Sequence, residues 1–412
     1  MEEWKIVEIK DICTGIYEGP HATPKESLTG GIYLGIPAIS SDGHINFDNA
    51  KRISEEDLPI WTKRVTPQED DIVFTNEATL NLYAIIPAGF HGCLGRRLGL
   101  IRPNKNLVDV RYLFYFFFSP EWRETVSRNK VSGATVERIL MTKFPHFPVK
   151  LPPLSVQKRI ADILSSIDEK IAINNRINHN LEEQAQALYK SWFVDFEPFK
   201  GERFVDSELG LIPEGWRIGT LSDLGDIVAG GTPSKVKAEY YADSGIHWLT
   251  PKDLSNHCGK YTSRGENDIT NLGYQNSSAK LMPRGTVLFS SRAPIGYITI
   301  AKNEICTNQG FKSVVPSFAG TGYIYHWLKE HTDYIEQQAS GSTFKEASGS
   351  LMKSLSALVP PKEVLDRFEE ALQPLLNSQE NLEEESLTLK ASRDHLLPLL
   401  MSGTLDFEQL TY

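Results

Sequence analysis

Two stretches of this chain place apolar residues in a 4-3 alternation, and the stretch before each has a different rhythm. From Ser155 to Trp192 the alternation picks out Ile160, Leu164, Ile167, Ile171, Asn174, Asn178, Leu181, Ala185, Leu188 and Trp192. The second stretch gives Leu365, Phe368, Leu372, Leu375, Gln379, Leu382, Ser386, Leu389, Arg393, Leu396 and Leu400. This spacing predicts the seam of a coiled coil, apolar at the a and d positions. A helix over Ser155–Trp192 would be about 57 Å long at 1.5 Å per residue. Each stretch follows a proline pair, Pro152-Pro153 or Pro360-Pro361, and proline is tolerated at a helix entrance. Polar residues interrupt both seams midway: Asn174 and Asn178 in one, Gln379 and Ser386 in the other. A buried Asn on a seam fixes register at a cost in stability; an inconsequential polar patch is the alternative. Pro374 removes a backbone hydrogen bond and is expected to kink the second helix near its start.

The stretches before the helices read as mixed, strand-rich globular blocks. Short β-branched or aromatic runs, such as Asp71-Ile72-Val73-Phe74 and Gly285-Thr286-Val287-Leu288-Phe289, lie between Gly, Pro, Asn and Asp turn signals. Near its end each block has one helical stretch, 110–129 and 322–338, the first made ambiguous by its phenylalanines. The element order then repeats. Trp4-Lys5-Ile6, Gly133, Pro153 and Asp195-Phe196 return as Trp216-Arg217-Ile218, Gly341, Pro361 and Asp406-Phe407, at offsets between 208 and 212. A long period used only twice marks a duplicated module, not a solenoid. The expected fold is therefore α+β with a pseudo-two-fold internal repeat. Two similar strand-rich α/β globular domains, 1–150 and 213–358, are separated by a pair of long coiled-coil helices. The first helix covers 151–196, a linker covers 197–212, and the second helix with the C-terminal tail covers 359–412. The first helix carries the chain from one block to the next and the second can return, so antiparallel packing is expected.

A chain of 412 residues has room for two domains of ordinary size. The opening Met1-Glu2-Glu3-Trp4-Lys5 is acidic and no apolar h-region follows, so no signal peptide is expected. The most apolar run, Tyr112 to Phe118, is far shorter than a membrane span. Cys13, Cys93, Cys258 and Cys306 form no CxxC pair, which argues against a zinc site or a disulfide framework and for a reduced, cytoplasmic protein. The formal charge of −10 argues against nucleic acid until its distribution is considered. Residues 361–412 hold 4 basic and 11 acidic side chains, and 151–212 hold 7 and 10. The globular blocks are near neutral, with 18 against 19 in 1–150 and 14 against 13 in 213–358. Near-neutral blocks can focus Lys and Arg on one face.

Catalytic constellations are missing. There is no GxxxxGK[ST] phosphate loop. Leu151-Pro152-Pro153-Leu154 and Val359-Pro360-Pro361-Lys362 lack the polar residue and the aromatic of an amino-methyltransferase motif, and read as helix punctuation. His326 and His331 are five apart and do not share a helix face, and His257-Cys258 are adjacent, poor geometry for one metal. Glu69-Asp70-Asp71 precedes a strand, but its repeat counterpart Arg284-Gly285-Thr286 carries no acid, so a turn is expected rather than a nuclease carboxylate set. The chain reads as non-catalytic, with no cofactor and no metal of its own.

Several motifs stand in a fixed order along the chain. They are Leu151-Pro152-Pro153-Leu154 leading to Gln157, Ile160 and Ala161; Gly230-Gly231-Thr232-Pro233-Ser234; Trp248-Leu249-Thr250-Pro251-Lys252-Asp253-Leu254; and the run from Arg393-Asp394-His395 to Met401-Ser402-Gly403. Tandem blocks, each followed by a proline pair and a long helix, resemble the specificity (S) subunit of type I restriction-modification enzymes over essentially the whole chain. The first block departs from the pattern, reading Gly19-Pro20-His21-Ala22-Thr23-Pro24 and Gly35-Ile36-Pro37-Ala38 where the second has the two middle motifs. The resemblance implies that each block is a target recognition domain reading one half of a bipartite double-stranded DNA site. It implies that the helices set the spacing between halves and dock two methylation subunits. S-adenosylmethionine would sit on those subunits, ATP and Mg²⁺ on separate motor/endonuclease subunits, and the setting would be a bacterial or archaeal cytoplasm without membrane attachment. A coiled-coil adaptor with two protein-binding domains is the alternative.

Sequence is read at base edges, while Lys and Arg on phosphates set position. The DNA-binding candidates are Lys25, Arg64, Arg96 and Arg97 in the first block, and Lys235, Lys237, Lys252, Arg292 and Lys345 in the second. A solvated surface charge is the competing reading of each. Gly133 and Gly341 could bring backbone N–H groups near phosphate, or could be bare turns.

Overall fold

The computed structural model describes residues 4–132, 136–255, 259–292, 294–341 and 345–405. The chain divides into two compact units, Met1–Ile171 with Thr388–Tyr412, and Ala172–Leu387.

In the first unit the strands Cys13–Glu18, Leu98–Pro103, Ile72–Thr75 and Tyr83–Ile85 lie side by side in that order, all antiparallel. Ile72–Thr75 is buried along its whole length, as its unbroken apolar run requires. A smaller sheet pairs Gly31–Leu34 with Lys51–Ile53 and, in parallel, with Gly92–Leu94. Lys5–Glu8 pairs with Pro148–Leu151 just before the first long helix. The second unit repeats this plan. Gly225–Ala229, Lys312–Pro316, Val287–Ser291 and Ile295–Ala301 take the same order, and Tyr261–Thr262 adds a fifth, parallel strand. Ile246–Leu249 runs parallel to Cys306–Thr307, and Arg217–Thr220 pairs with Ser356–Val359 before the second long helix. The duplication in sequence is a duplication of sheet topology.

The helical stretch at the end of each block is two helices, not one. In the first unit Val110–Phe116 stops before Pro120–Asn129, because proline cannot donate to the preceding turn and Ser119 instead caps Trp122 N–H at 3.2 Å. In the second, Thr321–Glu330 ends where His331 turns both its backbone N–H and its ring nitrogen onto the Trp327 carbonyl, and Thr332–Gln338 follows. Val110 and Tyr112 to Phe116 are all buried and Arg111 alone is charged, too little to display a helical period. Each helix is tied to its unit by an equivalent bond: Tyr112 Oη donates to the Lys150 carbonyl (2.6 Å) and Tyr323 Oη to that of Leu358 (2.7 Å). Their N-termini differ. Asp109 caps its own helix through Tyr112 N–H (3.0 Å), whereas Gly320 leaves that place empty. There Glu369, from the second long helix, accepts from Gly322 N–H (3.1 Å) and Tyr323 N–H (2.7 Å). A Cβ on Gly320 would fall 2.2 Å from the Glu369 carboxyl carbon, so glycine leaves room for the carboxylate. Burial raises the Glu369 pKa against the opposing pull of those N–H groups.

The long helices are Leu154–Phe193, 40 residues, and Lys362–Ser402, 41 residues. At 1.5 Å per residue each is about 60 Å long. The second runs unbroken through Pro374, at an exposed position where water is free to take the carbonyl that proline leaves without a donor. Along the seams Ile160, Leu164, Asn174, Ala185, Leu365, Phe368, Leu372, Gln379 and Leu400 are buried. Ile167, Ile171, Asn178, Leu181, Leu188, Trp192, Leu375, Leu382, Ser386, Leu389, Arg393 and Leu396 are half-buried. In the first unit Ile160, Ala161 and Leu164 share a core with Leu397, Leu400 and Met401. Asp168 there accepts from Arg393 (2.7 Å) and from Tyr115 Oη (2.6 Å). In the second unit the seam turns polar. Asn174 Nδ2, fully buried, donates to Glu385 (2.8 Å) and Ser386 (3.3 Å), while Gln379 Nε2 donates to Glu182 (3.2 Å). As numbers rise on one helix they fall on the other, so the pair is antiparallel. A one-residue slip would strand these buried amides.

Buried Lys260 completes this layer, with Nζ 2.8 Å from Glu182, 3.0 Å from Gln379 Oε1 and 4.3 Å above the Tyr325 ring. Burial lowers the Lys260 pKa, opposed by Glu182. Burial also pushes the Glu182 carboxyl up, but Lys260 and Lys329 overcome it and hold it down to about 2. The segment 197–212, expected as a linker, contains strand Phe204–Ser207 and most of its hairpin partner Gly210–Pro213, and Phe199 packs edge-on against Trp216 at 4.9 Å. Among the described residues no helix is long and apolar enough to cross a membrane.

Candidate nucleic-acid interface

In the second unit three sequence motifs converge on the loop Thr307–Phe311. Gly231 N–H donates to the Thr307 carbonyl (2.8 Å) and Gly230 N–H to that of Phe311 (3.3 Å). A Cβ at Gly230 would lie 2.0 Å from the Asn308 carbonyl oxygen, and one at Gly231 2.3 Å from Ala279 N, so this close approach demands glycine. Thr232 Oγ1 bonds Gln309 Oε1, and Trp248 Nε1 donates to the Gly231 carbonyl (3.0 Å), joining the Gly-Gly-Thr-Pro and Trp-Leu-Thr-Pro segments. Asp253 accepts from both Thr250 N and Thr250 Oγ1 at 2.7 Å, anchoring the short helix Pro251–Ser255 that carries Lys252. Ser291, at the end of its strand, donates to the Gly310 carbonyl on the other side of the loop (2.7 Å).

The basic candidates are distributed around this frame. Lys235 is exposed. Lys237 bonds Tyr240 Oη at 2.9 Å, which raises its pKa and keeps it charged. Lys252 pairs loosely with Glu266 (3.3 Å). Arg292 shares Glu346 with the buried Lys312, each at 3.2 Å. Lys345 reaches the Glu336 carbonyl (3.3 Å).

The equivalent loop of the first unit, between the strands Gly92–Leu94 and Leu98–Pro103, presents Arg96 and Arg97. Arg97 holds a left-handed backbone (φ 70°) and its Nε is 3.1 Å from Glu77. Arg96 N–H donates to Tyr33 Oη (2.9 Å). Arg64 reaches the Gly19 carbonyl (3.3 Å), and Asn76 donates to Glu18 (3.3 Å). Together Glu18, Gly19, His21, Asn76, Glu77, Arg96 and Arg97 line a cleft of about 210 Å³. Lys25 stands apart from it, exposed on the loop before Gly31. Three of four first-unit candidates thus gather at one strand end. Sequence reasoning missed Asn308, Gln309 and Lys312 because their importance depends on which loop faces the glycine turn. The Asn-Gln-Gly run was the available signal.

Other polar clusters have structural explanations. Asp71 is buried in a bidentate pair with Arg102 (2.8 and 2.7 Å), and Asp70 turns the chain with φ 69°. His326 is buried against Gln186 (2.8 Å); burial, then Lys260, hold its pKa down to about 3. His331 stacks on Trp327 at 4.2 Å. Cys93 and Cys306 are buried free thiols, pushed up to about 12 by burial. Gly341 has φ 136°, which suits a turn. Gly133, His257-Cys258 and Asp406-Phe407 lie outside the described residues.

Residues 1–183 and 213–390 match the family described as type I restriction modification DNA specificity domain. The chain belongs to this family. The match falls once on each half of the repeat and covers most of the sequence. Among named specificity subunits, that of the type I restriction enzyme MjaIX from Methanocaldococcus jannaschii is 37% identical over 196 residues, 45% of either chain. That of HindI from Haemophilus influenzae is 26% identical over 468 aligned positions, covering 98% of this chain and all of that one (100%). The crystal structure of the type I system S subunit from M. genitalium shares the fold, with a TM-score of 0.56 at 13% identity, over 97% of this chain and 96% of that one.

Proposed function

We propose that this chain chooses the DNA sequence for a type I restriction-modification complex and performs no chemistry itself. Each globular domain reads one half of a bipartite duplex site. The two long helices keep the halves at a fixed interval and dock two methylation subunits. S-adenosylmethionine belongs to those subunits, ATP and Mg²⁺ to the motor and endonuclease subunits, and the complex works in the cytoplasm of a bacterium or archaeon.

One observation carries this reading: two domains share a strand order, yet the loops at the same strand ends carry different hydrogen-bonding chemistry. Arginine suits guanine edges and phosphates, and Asn or Gln suits adenine. Two readers that share a strand order and differ at the loops are what an asymmetric, two-part site requires. The test is binding of the chain, with co-expressed methylation subunits, to a duplex enriched from a random pool. Affinity should fall steeply with salt as counterions are released. Replacing residues 213–358 by the same block of a relative should change one half of the enriched sequence and leave the other. A flat salt dependence, or no preferred duplex, would instead favour the adaptor.

A further inference from the structure

Among the described residues two large apolar side chains stand almost wholly in water: Leu28 at 96% exposure and Val236 at 94%, against 73% for the next, Ile6. Single exposed hydrophobes are ordinary on protein surfaces. These two lie in the corresponding connection of the two repeats. Each lies in the connection between the first strand of the larger sheet and the strand that runs parallel to Gly92–Leu94 or Cys306–Thr307.

Neither is loose. Ser27 N–H donates to the Arg52 carbonyl (2.9 Å), and the Arg52 guanidinium returns to the Gly30 carbonyl (3.0 Å), pinning the loop on both sides of Leu28. Gly30 has φ 106°, and a Cβ there would meet the Ile53 carbonyl oxygen at 2.2 Å. Val236 sits in a turn closed by Lys237 N–H on the Ser234 carbonyl (3.2 Å). Tyr241 Oη on the Pro233 carbonyl (2.7 Å) and Lys237 on Tyr240 fix its flanks. Turn tips favour Gly, Asn, Asp and Ser, so a β-branched aliphatic is held out against local preference. Cations flank both tips, Lys25, Lys51 and Arg52 around one and Lys235 and Lys237 around the other; of the nearby acids, Glu26 is taken up by Lys51 (2.7 Å), Glu55 faces His91 (2.9 Å) and Glu239 lies beside Lys237.

We infer that Leu28 and Val236 each read the C5-methyl group of a thymine in the half-site of their own domain. That methyl is the apolar group on the major-groove edges of the bases, and flanking lysines can hold the phosphates beside it. A rigid tip loses little conformational freedom on contact. This inference rests on the DNA reading above.

Its test begins with the enriched duplex, whose existence tests that reading separately. Deoxyuridine is then placed at each thymine in turn, removing only the methyl. Binding of the full chain with its methylation subunits should weaken about fourfold at one position in each half, the partition of one methyl out of water. Leu28→Ser should abolish the thymine-over-uracil preference in one half, and Val236→Ser in the other, each leaving the opposite half unchanged. The inference is overturned if uracil is tolerated everywhere, or if either variant weakens thymine and uracil duplexes equally. Unstacking beside the tips, seen as 2-aminopurine fluorescence with uracil tolerated, would make them wedges and also refute it. Failure to enrich any duplex removes the DNA reading and this inference with it.

Discussion

The loop after the parallel strand of the small sheet carries Arg96-Arg97 in the first unit and Asn308-Gln309 in the second, on sheets of identical core order. At the neighbouring strand end the charges are exchanged as well. Glu77 faces Arg97 in one unit, and Arg292 faces Glu346 in the other. The buried strands hardly differ in character, while the residues that leave the sheet differ in charge and in hydrogen-bonding type. Fold and reading are therefore separable properties of this architecture: the core can be kept while the strand ends change.

The largest expected break between the units concerns stability. Lys260→Ala removes the cation from a buried layer that has no counterpart of this depth among the described residues of the first unit, leaving Glu182 and Gln379 without it. It should cost about 3 kcal/mol in the second unit, read by urea denaturation with hydrogen exchange followed unit by unit. The first unit should be unaffected. Acid should divide the units in the same direction. Unfolded His326 binds a proton below about pH 6.5, but the folded side chain, faced by Lys260, Lys329 and Glu182, resists until about 3. The second unit thus loses stability as pH falls across that interval, and Glu182, ordinary in the unfolded chain near 4.5 but held at about 2 when folded, adds to the loss below pH 4.5. The histidines of the first unit, His21, His44, His91, His146 and His395, are exposed. An equal acid response in both units, or no flattening of the slope by His326→Gln, would contradict this account.

The next comparison concerns reading. Arg96→Ala should reduce the salt slope of DNA binding by about 1. Gln309→Ala should leave the slope unchanged while lowering discrimination in the other half about tenfold, within the range for one lost bidentate contact. Equal salt effects would mean that the two loops do the same work. The smallest effect tests likeness instead. Tyr112→Phe and Tyr323→Phe each delete one hydrogen bond to an equivalent carbonyl, and both should cost about 1 kcal/mol, matched between the units by hydrogen exchange.

The repeat, the two long helices and their seams were legible because period and proline punctuation are local signals. The Asn174 and Gln379 interruptions were visible, but not their purpose, since Lys260 lies 119 residues from Gln379 and 78 from Glu182. The doubled helix at the end of each block was hidden in the first by the burial of every residue of Val110–Phe116 except Arg111, which erases the period. The gathering of Arg64, Arg96 and Arg97 could not be inferred from basic residues one by one, because it depends on sheet order. Gln309 carries no charge, and its place is set by the distant glycine turn that rests against its loop.

The capping of Thr321–Glu330 by Glu369 has a consequence for inheritance. The first domain travels with the acid that starts its helix, but the second borrows one from outside its own boundaries. A recombination event that moves the second domain into first place brings it against Ala161, 208 positions before Glu369, and leaves that helix start bare. Exchange between like positions keeps this cap, whereas exchange across positions loses it unless the receiving helix supplies an acid.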